Sequence, residues 1–87
     1  MLTPLTLAAA WSPAAQFSVA EDTDVLLSNP SPYFRLVWTV TTSTDAPAVG
    51  VDQANPLLPS SGMPMTLYAG ETLHLAGTAG APAGVEH

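Results

Sequence analysis

The clearest pattern in this chain is an alternation of large apolar side chains with other residues between positions 33 and 42. The two-residue period is that of a β-strand with one face in a core. The other face is amphipathic rather than charged, which predicts that it too is partly covered. The large side chains on the apolar face are Phe34, Leu36, Trp38 and Val40.

Shorter segments with the same period lie on both sides of this strand. Residues 15–20 alternate, and residues 24–28 form a short apolar run that ends at a proline-rich stretch. Near the end of the chain, residues 63–68 and 71–76 read as two strands joined by an Ala69-Gly70 turn, which predicts a hairpin. The predicted core therefore consists of Phe17, Val19, Phe34, Leu36, Trp38, Val40, Met65, Leu67, Leu73 and Leu75.

Nine prolines and six glycines separate these segments, and no long stretch has the helical period. Short strands with turn signals between them predict a small antiparallel β-sandwich or barrel of about 6–8 strands. We predict one domain, in which residues 1–14 form an arm, residues 15–76 the β body and residues 77–87 a flexible tail. A long loop at residues 43–61 is expected to run over the surface of the body.

Charge is unusually scarce, since charged residues make up 9% of the chain and Arg35 is the only Lys or Arg. An ordinary soluble domain has roughly 25%. The net charge of −6 argues against binding to nucleic acid or to an anionic membrane, both of which need several cations on one face. The first residues lack the positive charge that precedes a signal peptide, and no apolar run reaches the length of a membrane span.

The apolar fraction of 47% is more than a chain of 87 residues can hide inside one domain. Much of the surface must therefore be uncharged, and such surfaces suit burial against other chains. We expect a homo-oligomer, with a trimer favoured, or a docked subunit. The residues expected at partner interfaces are Leu2, Leu5, Leu7, Trp11, Tyr33, Arg35, Leu57, Leu58 and Tyr68.

Several of these interface residues have alternative interpretations. The leucines of the arm could add an edge strand, lie across a neighbour or belong to a frayed terminus. Trp11, Tyr33 and Tyr68 could instead belong to the core, or could together form an aromatic platform for a sugar.

Residues that could support catalysis are few. A triad of Ser60, His74 and Asp52 can be drawn, but no Gly-x-Ser-x-Gly turn accompanies it, and His74 is expected to be a half-exposed strand residue. The carboxylates at residues 21–24 are ordinary turn formers, with a calcium site as the alternative. The sequence therefore predicts no enzymatic activity, no cofactor and no metal.

Residues from about Tyr33 to Leu75 resemble small all-β virion proteins of tailed bacteriophages, of the kind that decorate or cement a capsid. In that family a strand containing a tryptophan leads into a long loop, a short apolar segment with proline, and a hairpin whose turn reads Gly-Glu. The corresponding segments here are residues 34–40, residues 55–59, residues 65–67 and residues 69–75.

The resemblance implies a non-catalytic subunit on the outer surface of a phage head that binds and bridges copies of the major capsid protein. It also implies terminal arms that become ordered on neighbouring molecules. Two other classes stay open: a tail, connector or fibre-associated structural protein, and a host-surface or carbohydrate-binding β module.

Overall fold

A computed structural model describes residues 1–87 and consists of two antiparallel four-stranded sheets. The strands are β1 Leu2–Thr6, β2 Gln16–Ser18, β3 Thr23–Asn29, β4 Leu36–Thr41, β5 Asn55–Leu57, β6 Ser61–Leu67, β7 Thr72–Ala76 and β8 Pro82–Glu86. Two short 3-10 helices, Pro13–Ala15 and Val51–Gln53, lie in the connections. The predicted all-β sandwich is confirmed. No helix here has the length and apolar character needed to cross a membrane.

The strand order is that of a jelly roll. Sheet 1 has the order β1-β8-β3-β6, and sheet 2 has the order β2-β7-β4-β5. The pairs β1 with β8, β2 with β7, β3 with β6 and β4 with β5 are all antiparallel. The chain therefore follows the path of one long hairpin folded over two sheets, which is the arrangement of two Greek keys.

This path gathers the connections at two opposite ends of the sandwich. Residues 7–15, 30–35, 58–60 and 77–81 meet at one end, where Ser60 N donates to Ser31 O and Leu7 N to Ala81 O. We call it the aromatic end, because exposed Tyr33 and Phe34 lie there.

The opposite end is formed by residues 19–22, the start of the loop at residues 42–54, and residues 68–71. There Val19 N donates to Glu71 O and Gly70 N donates to Val19 O. We call it the acidic end, because it carries Glu21, Asp22 and Glu71.

The core is the apolar layer between the two sheets, and both sheets and the first connection contribute to it. Phe17, Val19, Trp38, Val40 and Met65 are only partly buried and pack against this layer. Its buried members are Leu7, Ala15, Val25, Leu27, Leu36, Leu57, Leu67, Leu73, Leu75, Ala81, Ala83 and Val85.

Phe34 was predicted for the core and is instead 50% exposed. Strand β4 begins only at Leu36, so the alternation seen in the sequence does not extend back to residue 34. The backbone N–H of Phe34 donates to Ser31 Oγ, which makes this residue part of the preceding loop.

The predicted arm and flexible tail are also wrong, because they contain strands of the same sheet. Strand β1 pairs with β8 from Leu2 opposite Glu86 to Thr6 opposite Pro82, and β8 also pairs with β3. Leu7, which was expected at a partner interface, is buried in the chain's own core. Apolar residues of this kind need no neighbouring molecule to cover them.

The turn predicted at Ala69-Gly70 is present, but the two strands beside it do not pair with each other. Glu71 N donates to Tyr68 O, and Gly70 has a φ of 86°, a conformation that glycine adopts without steric cost. However, β6 pairs with β3, whereas β7 pairs with β2 and β4. The turn therefore carries the chain from one sheet to the other.

Three of the four edge strands contain a proline. These are Pro4 in β1, Pro64 in β6 and Pro56 in β5. The fourth edge strand, β2, is three residues long. Proline offers no N–H donor, so each of the three proline-containing edges has a gap in its row of donors.

A matched pair of leucines tests whether the N-terminal segment belongs to the core. Leu7→Ala should lower the free energy of unfolding by about 2–5 kcal/mol, because it leaves a cavity among buried neighbours. Leu2→Ala, at a side chain that is 55% exposed, should cost clearly less. Urea unfolding followed by tryptophan fluorescence measures both, and equal small losses would mean that the segment is not part of the core.

Candidate functional site

The outer face of sheet 1 is the first candidate surface. Side chains alternate between the two faces of a strand, and residues directly opposite each other in neighbouring strands share a face. The pairs Leu2 with Glu86, Leu26 with Pro64 and Ser28 with Gly62 therefore all point away from the core. The residues of this face are Leu2, Pro4, Thr6, Asp24, Leu26, Ser28, Gly62, Pro64, Thr66, Pro82, Gly84 and Glu86.

This face exposes large apolar side chains to solvent. Leu2 is 55% exposed and Leu26 is 41% exposed. The Leu2 side chain lies over Gly84, where a Cβ would be 2.9 Å from Leu2 Cδ1, and Leu26 lies over Gly62 in the same way at 3.3 Å. The absence of a Cβ at both glycines leaves room for the leucine side chains to lie against the sheet.

Charge on the sheet 1 face comes from Asp24 and from Glu86, which lies between Leu2 and Leu26 across the sheet. Asp24 Oδ1 accepts a hydrogen bond from Thr66 Oγ1, and Glu86 pairs with the Met1 ammonium group at 3.5 Å. The rest of the face is apolar or neutral, so covering it with another protein would desolvate few charges.

The outer face of sheet 2, in contrast, is covered by the chain itself. Trp11 Nε1 donates to Val49 O, which ties the loop of residues 7–15 to the loop of residues 42–54 above the sheet. Beneath them His74 is buried rather than half exposed as expected. Its Nε2 lies 3.0 Å from Ser43 O and 2.9 Å from Thr41 Oγ1.

The second candidate surface is an open groove of about 680 Å³ beside the aromatic end. It combines exposed aromatic rings, the only Arg of the chain and a carboxylate. Its lining residues are Tyr33, Phe34, Arg35, Val37, Val51, Asp52, Gly77 and Thr78.

Two buried polar residues hold the loop that displays the aromatic rings. Asn29 Nδ2 donates to the carbonyl oxygens of Phe34, Leu57 and Leu58 at 2.9–3.2 Å. Ser31 N donates to Asn29 Oδ1, and Ser31 Oγ accepts from the N–H groups of Tyr33 and Phe34.

These bonds fix residues 30–35 in one backbone conformation. Prolines at positions 30 and 32 restrict the same loop further. The rings of Tyr33, which is 81% exposed, and Phe34 are therefore presented without much loss of freedom on binding.

Arg35 is exposed and forms no ion pair. An unpaired guanidinium between aromatic side chains suits a carboxylate of a partner, because it can donate two parallel hydrogen bonds to it. Leu58, also exposed, lies in the neighbouring connection that Asn29 ties to Phe34. Arginine with large aromatic residues is the composition found at the energetic centres of protein interfaces.

The expected interface residues do not form one surface. Tyr33, Arg35 and Leu58 lie at the aromatic end and Leu2 lies on sheet 1, whereas Tyr68 lies at the acidic end. Leu57 is buried in the core, contrary to prediction, and Leu5 is partly buried against it.

Two other sites considered from the sequence, the aromatic platform for a sugar and the catalytic triad, are not formed in the structure. Trp11 covers His74 beside sheet 2, so it does not share a platform with Tyr33 and Tyr68, which lie at opposite ends. His74 hydrogen-bonds Thr41 and Ser43 rather than a serine nucleophile such as Ser60.

Sequence reasoning missed Asn29 and Ser31, which position the aromatic loop. The prediction places both in the proline-rich stretch at the end of the apolar run of residues 24–28. The only signal for them was an Asn-Pro-Ser-Pro stretch, in which Asn and Ser side chains commonly bond the backbone two or three residues on.

Comparisons with known proteins add no relatives to this description. No family model, no curated protein and no solved structure matches the chain. The sheet 1 face and the groove are therefore the two surfaces from which a function can be inferred.

Substitution of Asn29 tests the support of the aromatic loop. Asn29→Ala should lower the free energy of unfolding by about 1–3 kcal/mol, because buried carbonyl oxygens lose their donor. It should also speed amide hydrogen exchange at Phe34. Ser28→Ala, one residue earlier on the outer face, is the control and should change neither quantity. A silent Asn29→Ala would contradict the supporting role.

Proposed function

We propose that this chain is a non-catalytic structural subunit of a virus particle, which decorates or cements the outer surface of a phage head by binding the major capsid protein. In this proposal the sheet 1 face is the docking surface. The observation that carries it is a face with only two charged side chains, Asp24 and Glu86, and with leucines at positions 2 and 26 exposed to solvent.

The contrast between the two sheets supports this choice of surface. The loops of residues 7–15 and 42–54 cover sheet 2. Trp11 belongs to the first of these loops, and His74 lies beneath them. Nothing of the chain covers Leu2, Leu26 or Pro64 on sheet 1. An apolar face of a small domain is best explained by a partner that buries it.

Composition and fold agree with a structural role. With 9% charged residues and a net charge of −6, the surface is largely neutral, as suits a subunit that lies against other proteins. Jelly rolls recur among viral capsid and lectin domains, although this is an association at the level of the fold.

The proposed docking uses the body of the domain. The resemblance implied free arms that reach neighbouring molecules, but both terminal segments are strands of sheet 1. They build the docking face with Leu2, Pro4 and Pro82 rather than extending from it.

A subunit of a tail or connector would use the same face, and the number of copies per particle separates the two roles. Quantitative mass spectrometry of purified particles of the encoding virus should find hundreds of copies for a head decoration protein. About six or twelve copies, as expected of cyclic connectors, would place the chain in a tail or connector. Absence from the particle would contradict a virion role altogether.

A charge placed in the sheet 1 face tests the docking surface. Particles assembled without this chain would be titrated with purified variants, and bound chain would be counted after sedimentation. Leu26→Glu should weaken binding at least about tenfold, since a buried, unpaired carboxylate costs several kcal/mol.

Ala46→Glu adds the same charge at an exposed loop position away from sheet 1 and should bind like the original chain. Equal binding by all three proteins would show that the docking surface lies elsewhere. Far-UV circular dichroism would verify that both variants keep the fold.

A further inference from the structure

Exposed charges lie at both ends of the sandwich. The only Arg lies at the aromatic end, where it lines the groove with Tyr33, Phe34 and Asp52 but forms no ion pair. Glu21, Asp22 and Glu71 lie at the opposite end, in two turns that hydrogen bonds hold together. Strand β3, seven residues long, connects the two ends. At about 3.3 Å per residue the ends are more than about 20 Å apart, so Arg35 cannot reach these carboxylates within its own chain.

At the acidic end, which we also call the acidic tip, hydrogen bonds hold the two turns. Asp22 Oδ1 accepts from Ala69 N at 2.9 Å, and Tyr68 N donates to Glu71 Oε1 at 2.6 Å. Those two carboxylates therefore stabilise the tip itself. The Glu21 side chain is exposed and takes part in no hydrogen bond or ion pair, so it is the carboxylate at the tip left free for a partner.

We propose that the groove at the aromatic end binds the acidic tip of a second copy of this chain. Arg35 of one copy pairs with Glu21 of the next, while Tyr33 and Phe34 pack against the exposed Tyr68 beside the tip. Each surface carries a charged side chain without an ion pair, Arg35 in the groove and Glu21 at the tip, and each carries exposed aromatic area of the kind that stabilises interfaces.

Such a contact joins two different surfaces, so it repeats from copy to copy. It closes into a ring if the rotation between neighbours allows it, and the expected trimer is one such ring; otherwise it extends into a filament. The sheet 1 face takes no part in the contact. Copies joined in this way could still present that face to a common partner.

A charge exchange on the purified chain tests the proposal without any viral partner. Sedimentation velocity at rising protein concentration should show self-association that weakens as salt is raised. Arg35→Glu and Glu21→Arg should each raise the dissociation constant at least about tenfold. The double variant, which restores an opposite pair, should recover most of the affinity. Asp45→Arg, which changes the net charge as Glu21→Arg does but lies at an exposed position of the loop over sheet 2, is the control and should associate like the original chain.

Four results would overturn the proposal. The first three are a chain that stays monomeric at all concentrations, single variants that associate normally, and a double variant that does not recover. A fourth is an Arg35→Glu variant that self-associates normally but fails to bind virus particles, because the groove would then take an acidic segment of another protein. Failure of docking by Leu26→Glu with intact self-association would instead bear only on the sheet 1 face.

Discussion

The apolar layer between the two sheets is the interaction on which the rest of the structure depends. The chain has 87 residues and no cysteine, so no disulfide can supplement this layer. Leu27, Leu36, Leu73 and Leu75 are fully enclosed by it. Both terminal segments contribute to it, since β1 and β8 form part of sheet 1. A chain this small completes its core only by using nearly every segment that it has.

Because nearly every segment contributes to the core, the two sheets have different outer faces. The long loop between β4 and β5 and the loop after β1 lie over sheet 2, where they enclose His74. No segment remains to cover sheet 1, and its leucines lie against Gly62 and Gly84 in contact with solvent. The asymmetry of the surface thus follows from the way the chain is distributed around the core. It is also the reason that sheet 1, rather than sheet 2, is the face open to contact with other molecules.

The sequence predicted the parts of the fold that depend on local pattern. The period of two from Leu36 to Val40, the turn at Gly70 and the all-β class required only neighbouring residues. Strand partners could not be read in this way, because a turn sets the direction of the chain but not the sheet that the next strand joins. The terminal segments were misjudged for a related reason. Residues 82–86 contain Pro, Ala and Gly, which are weak strand formers, and only pairing with β1 and β3 makes them a strand.

The candidate surfaces were predictable to a similar degree. Tyr33, Arg35 and Leu58 could be singled out as interface residues because aromatic, arginine and apolar side chains stood in a segment rich in turns. Their common location depends on Asn29, which bonds two connections far apart in sequence. Leu7 and Leu57 have the same composition signal and lie in the core, because burial is decided by how the sheets stack rather than by residue type.

The prolines of the edge strands have a consequence for the protein's tendency to aggregate. A newly synthesised chain with an exposed apolar face and unpaired edge strands can pair with other copies and form cross-β aggregates. Pro4, Pro56 and Pro64 interrupt the donor rows along which such growth would spread. Association is thereby directed away from backbone pairing and toward side-chain surfaces, where shape and charge can choose the partner.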